Sequence, residues 1–71
     1  MNEYLFNMLK TSAEADKAKA QLSLNALSEH IAGIGDHTTK DLWDTAEEAL
    51  NMLENATSRL ELLDKIDTQG M

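Results

Sequence analysis

Ala32-Gly33-Ile34-Gly35-Asp36 stands at the midpoint of this 71-residue chain and holds two of its three glycines. The third, Gly70, lies in the tail, and proline is absent, so residues that interrupt a helix are confined to the centre and the end. Alanine and leucine dominate the apolar residues and valine is missing, a composition that favours helix over sheet. The glycine pair therefore reads as a turn between two long helices, with Gly33 or Gly35 at positive φ closing the first. The pattern predicts an all-α fold, a two-helix antiparallel hairpin, in a single domain over 1-71. Helix 1 is expected over about 3-32, the turn over 33-38, helix 2 over about 39-66, and a frayed tail over 67-71.

Working outward from the turn, Phe6, Leu9, Ala13, Ala20, Leu24, Leu27, Ile31 and Ile34 recur at spacings of three, four or their sums and define one buried face. That stripe passes Asp16 and Lys17 without an apolar member. In the second half, Leu42, Ala46, Ala49, Leu53, Ala56, Leu60 and Leu63 alternate four and three without a break, and Ile66 follows. This is a heptad seam. Alanine at alternate seam positions lets the helix axes approach, while the leucines between them fill the layers. Antiparallel pairing would set Tyr4, Phe6 and Leu9 near Leu60, Leu63 and Ile66, and would set Leu27, Ile31 and Ile34 near Leu42 and Trp43.

The start of helix 1 has two readings. Thr11-Ser12-Ala13-Glu14 is a capping-box sequence that could begin a new helix and leave a short extra N-terminal one; alternatively the helix continues through it, since nothing there forces a break. For helix 2, Asp36, Thr38 and Thr39 are candidate caps. Acids crowd its first turns, while Arg59 and Lys65 lie towards its end, as the helix dipole favours.

A second stripe on helix 1, made of Leu5, Met8, Ala15, Ala18, Leu22 and Ala26, has no counterpart within two helices, and Trp43, Leu50 and Leu62 flank the seam of helix 2. Below roughly 70 to 80 residues one core seldom supplies more than ~3 to 5 kcal/mol, and small domains add disulfides, metals or further subunits. Cysteine is absent. The surplus apolar surface therefore predicts a homodimer closing into a four-helix bundle, with Leu5, Met8, Ala15, Ala18 and Leu22 at the dimer interface. In architecture the chain resembles the Rop family of plasmid copy control, short helical hairpins that dimerise into antiparallel four-helix bundles with layers of small and large residues. The resemblance covers hairpin length, central turn and Ala/Leu seam. Rop-like RNA binding implies an aromatic among basic and polar groups on the exposed face of helix 1. Here Lys10, Lys17 and Lys19 have no mid-helix aromatic beside them, so that activity does not carry over.

Net charge is -7, and it is unevenly placed. Residues 1-35 carry four acids and three bases, whereas residues 36-71 carry nine acids and three bases. Phosphate backbones and anionic lipid would be repelled, which argues against direct nucleic-acid or membrane binding. A basic protein surface is the better match. No run approaches the ~18 apolar residues of a membrane span, and the N-terminal Tyr4-Leu5-Phe6 is bounded by Glu3 and Asn7 rather than built as a signal peptide, so the cytoplasm is the expected location.

Chemistry-bearing groups are sparse. His30 and His37 flank the turn beside Asp36, but a His-x6-His spacing matches no standard ligand set, and a histidine at a helix end also serves the last carbonyls. Carboxylate pairs such as Asp44 with Glu48, or Glu54 with Glu61, share a helix face without the Glu-x-x-His motif of di-metal bundles. A solvated acidic face accounts for them. No enzyme activity, metal or cofactor is expected. The function expected is a protein-protein interaction module, a small acidic regulator, inhibitor or adaptor. Its partner-binding candidates are Asp44, Glu47, Glu54 and Glu61 on helix 2 and the apolar group Tyr4, Phe6 and Met8. Alternatives are an inhibitor that imitates nucleic acid against a DNA- or RNA-binding protein, and an assembly subunit of a larger helical complex.

Overall fold

The computed structural model describes residues 1-30 and 39-68, with side chains described over 1-29 and 40-67. Two helices make up the described chain: α1, Glu3–His30, and α2, Thr39–Thr68. They run antiparallel along a rod with extents of 53 × 14 × 13 Å. The glycine turn, Ile31, Ile34, the candidate caps of α2 and the metal reading of His30, Asp36 and His37 lie outside the described residues or side chains.

One helix, not two, occupies the N-terminal half. The chain starts it with Asn2, whose side-chain Oδ1 accepts from the Tyr4 amide at 2.7 Å and the Leu5 amide at 3.2 Å, while its carbonyl accepts from the Phe6 amide at 2.9 Å. This is an N-cap, and it satisfies donors that a helix start leaves open. With the start fixed there, Thr11 and Ser12 are exposed residues inside a continuous helix. The extra N-terminal helix is thus absent: Phe6, Leu9 and Ala13 keep one face across the candidate break, and burial of that face outweighs a local capping preference. Near the other end, the Ser28 hydroxyl donates to the Leu24 carbonyl at 2.9 Å, one turn back. Helix α2 extends two residues past the expected end and takes in Asp67 and Thr68, which sequence reading assigns to a frayed tail.

The seam is where the spacing puts it. Ala13, Ala20, Ala49, Ala56 and Leu63 are buried, and Phe6, Leu24, Leu27, Leu42, Ala46, Leu53, Leu60 and Ile66 are half-buried around them. Among the described residues no large side chain is fully enclosed. A rod two helices wide has a line of contact and no interior, so methyl groups are buried fully while leucines keep one flank in solvent. Tyr4 departs from the expected seam: it is 82% exposed. Trp43 stands at the loop end beside Leu24, Leu27 and Leu42, but at 63% exposure it covers that end only in part.

Candidate functional site

The interior polar contact of the hairpin arises where the α1 stripe lacks an apolar residue. Between Ala13 and Ala20 the seam position falls to Asp16, and Arg59, flanking the α2 seam between Ala56 and Leu63, reaches across to fill the slot. Its Nη2 donates to Asp16 Oδ2 at 2.8 Å. Both side chains are part-exposed, yet the inner Nε of Arg59 is enclosed and has no acceptor among the described residues. Sequence reading passed over this pair, assigning Arg59 to the helix dipole alone. The gap at Asp16 and Lys17 in an otherwise apolar stripe was the signal for it.

This contact also fixes which side of the rod each exposed residue occupies. On one side, a shallow apolar groove is lined by Met1, Leu9, Arg59, Leu62, Leu63 and Ile66. On the other, Phe6 and Lys10 lie against Leu60, Leu63, Asp64 and Asp67, and nearer the loop Leu24 and Leu27 lie against Leu42, Trp43 and Ala46. The candidate dimer residues fall on the first side or the back of α1. Leu5, Met8 and Leu22 are 46%, 57% and 69% exposed, and Ala15 and Ala18 are exposed with them.

Of the candidate partner-binding residues, Asp44, Glu47, Glu54 and Glu61 are all exposed, the last three at seven-residue spacing along one edge of α2. Asp44 accepts from Lys40 Nζ at 3.4 Å, a solvent-exposed pair one turn apart. The apolar group is divided. Tyr4 and Met8 face outward, while Phe6 turns into the seam beside Leu60 and Leu63.

Among the described residues no group of three or more histidine, cysteine or acidic side chains is placed to hold a metal ion, and no helix is long and apolar enough to cross a membrane. Comparison of this chain with protein-family models, with curated proteins and with solved structures found no match.

Proposed function

We propose that this chain is a non-enzymatic interaction module, a homodimeric helical bundle that binds a basic surface of another protein through the outer edge of α2. The observation that carries the reading is the row Glu47, Glu54 and Glu61, exposed at heptad spacing and joined at its loop end by Asp44. Residues seven apart on a straight helix drift only about 20° per repeat, so these carboxylates stay in one strip over about 20 Å. Such a strip meets several cations at once and steers association over a Debye length of about 8 to 10 Å. Dimerisation supplies the rigid platform, because among the described residues the rod alone buries no large side chain completely.

The test is affinity capture from the source cell with wild-type protein, with Glu47→Lys/Glu54→Lys and with Tyr4→Ala/Met8→Ala. The partner is expected to be retained by wild type, released as salt rises, and lost to the charge-reversed variant while helicity is kept. Retention indifferent to both salt and charge reversal, with loss on Tyr4→Ala/Met8→Ala, would instead assign binding to the outward N-terminal apolar residues, since Phe6 is committed to the seam.

A further inference from the structure

We infer that the loop-end groove between α1 and α2 docks an amphipathic helix of the partner, its apolar side chains on Trp43 and Leu50 and its lysines or arginines against Glu47 and Glu54. This rests on the basic-partner reading above and adds an apolar anchor and the form of the segment that binds. The groove is lined by Leu24, Leu27, Ser28, Leu42, Trp43 and Ala46, and Leu50 continues it one turn beyond Ala46. Trp43 and Leu50 are 63% and 56% exposed, so both keep most of their apolar surface for a further contact. An exposed tryptophan beside an apolar groove is the kind of residue that anchors protein interfaces.

Spacing selects a helix. Trp43, Glu47, Leu50 and Glu54 alternate four and three along one edge of α2, so apolar and acidic groups each recur every seven residues, about 10.5 Å. A helix laid in the groove repeats its own apolar and flanking residues at that interval. A β-strand repeats one face every ~6.7 Å and falls out of step within one repeat. The hairpin already presents two helices, and a third laid between them covers the flank of the seam that two leave open.

Charge selects a basic helix and turns away a second copy at this place. The register set by Asp16 and Arg59 divides the rod near Ala20 and Ala56. In the loop-end half, residues 20-29 and 40-55 carry six acids, Glu29, Asp41, Asp44, Glu47, Glu48 and Glu54, against one base, Lys40, which pairs with Asp44. In the other half, residues 1-19 and 56-67 carry six acids and five bases. The antiparallel fold thus gathers negative charge around the apolar groove. On its α1 side the groove is bordered by uncharged Gln21 and Ser28, and Lys17 stands one turn farther from the loop. Two copies meeting by this groove about a twofold axis would each bring Glu47 and Glu54 to the contact, where like charges repel.

The probe is a synthetic peptide of about three heptads with leucine at the core positions and lysine at the flanking ones, set against a scrambled peptide of the same composition. Trp43 is the only tryptophan of the chain and the peptides contain none, so its emission reports occupancy of the groove. The ordered peptide is expected to shift that emission saturably to the blue and to bind more than about tenfold tighter than the scrambled one. Leu50→Ala and Glu47→Lys/Glu54→Lys, with helicity kept, are each expected to raise the dissociation constant about tenfold, and Leu22→Ala, on the back of α1, to leave it unchanged. Binding that is lost on charge reversal, yet shows no blue shift and ignores Leu50→Ala, overturns the groove and leaves the acidic strip standing. Binding indifferent to charge reversal overturns both. A blue shift on concentrating the protein alone puts a second copy in the groove and overturns the inference, as does a wild type that takes up neither peptide or both alike.

Discussion

Arg59 donates to Asp16 across the helix pair at 2.8 Å, joining the middle of α1 to the C-terminal half of α2 over 43 positions of sequence. The pair is over a third exposed in each partner, so its Coulombic gain is screened, and the enclosed Nε without an acceptor counts against it. Arg59→Met alone leaves Asp16 facing an apolar groove and should destabilise the hairpin by about 1 kcal/mol, whereas Asp16→Leu with Arg59→Met should be neutral or stabilising. Urea denaturation of the four members of this double-mutant cycle, at low and high salt, checks both the sign and the coupling.

The register set by that contact puts Ala20 and Ala56 at one level, each a turn nearer the loop than the ion pair, and both are wholly buried. Two methyl groups there hold the axes close. Ala20→Leu or Ala56→Leu should force the helices apart and cost about 1 to 3 kcal/mol, although leucine is at least as good as most residues in an isolated helix. Thermal unfolding followed by circular dichroism reads this directly; a stabilised variant would mean the level is looser than its burial indicates.

Asn2 caps α1 through two amide hydrogen bonds, and Thr11-Ser12 caps nothing. Asn2→Ala should therefore cost about 1 kcal/mol and speed hydrogen exchange at the Tyr4 and Leu5 amides. Thr11→Ala with Ser12→Ala should leave exchange there unchanged and stability equal or slightly higher, since alanine is the better helix former.

Leu63 is the most deeply buried leucine among the described residues, at 8% exposure. Leu63→Ala should cost about 2 to 5 kcal/mol, and Leu53→Ala less, because Leu53 is only half-buried. Glu54→Ala, on the solvated edge beside it, should lie within about 0.5 kcal/mol of wild type. Chemical denaturation ranks the three.

The hairpin was legible because its information is periodic. Each α2 seam residue from Leu42 to Ile66 is buried or half-buried as the four-three alternation requires, and the α1 face follows at Phe6, Ala13, Ala20, Leu24 and Leu27 but not at Leu9, which stays exposed at the edge of the seam. Where the reading went astray, the physics was not periodic. Asn2 lies three residues before Leu5, the first member of either apolar repeat, so its role depended on a single side-chain oxygen rather than on pattern. Asp16 and Arg59 sit 43 apart, and only the register of two helices brings them together. Tyr4 and Phe6 are two residues apart, which on a helix places them about 200° round from each other, so one apolar cluster in sequence became two environments. The acidic strip was recognisable as a surface from charge and spacing, but charge pattern gives a partner's sign and not its identity.

A heptad seam has a weakness that the ion pair addresses. Its pattern is nearly invariant to translation: sliding α2 by seven residues, about 10 Å along the axis, would still set alanines and leucines against the α1 stripe. Apolar burial alone distinguishes such positions poorly. Asp16 breaks that symmetry, because the slide would present it with Met52 or Ile66 in place of Arg59, leaving an acid against a hydrocarbon and without its donor on the facing helix. The two charged side chains thus act like the tooth of a vernier, contributing little to the depth of the energy minimum and much to its position along the rod.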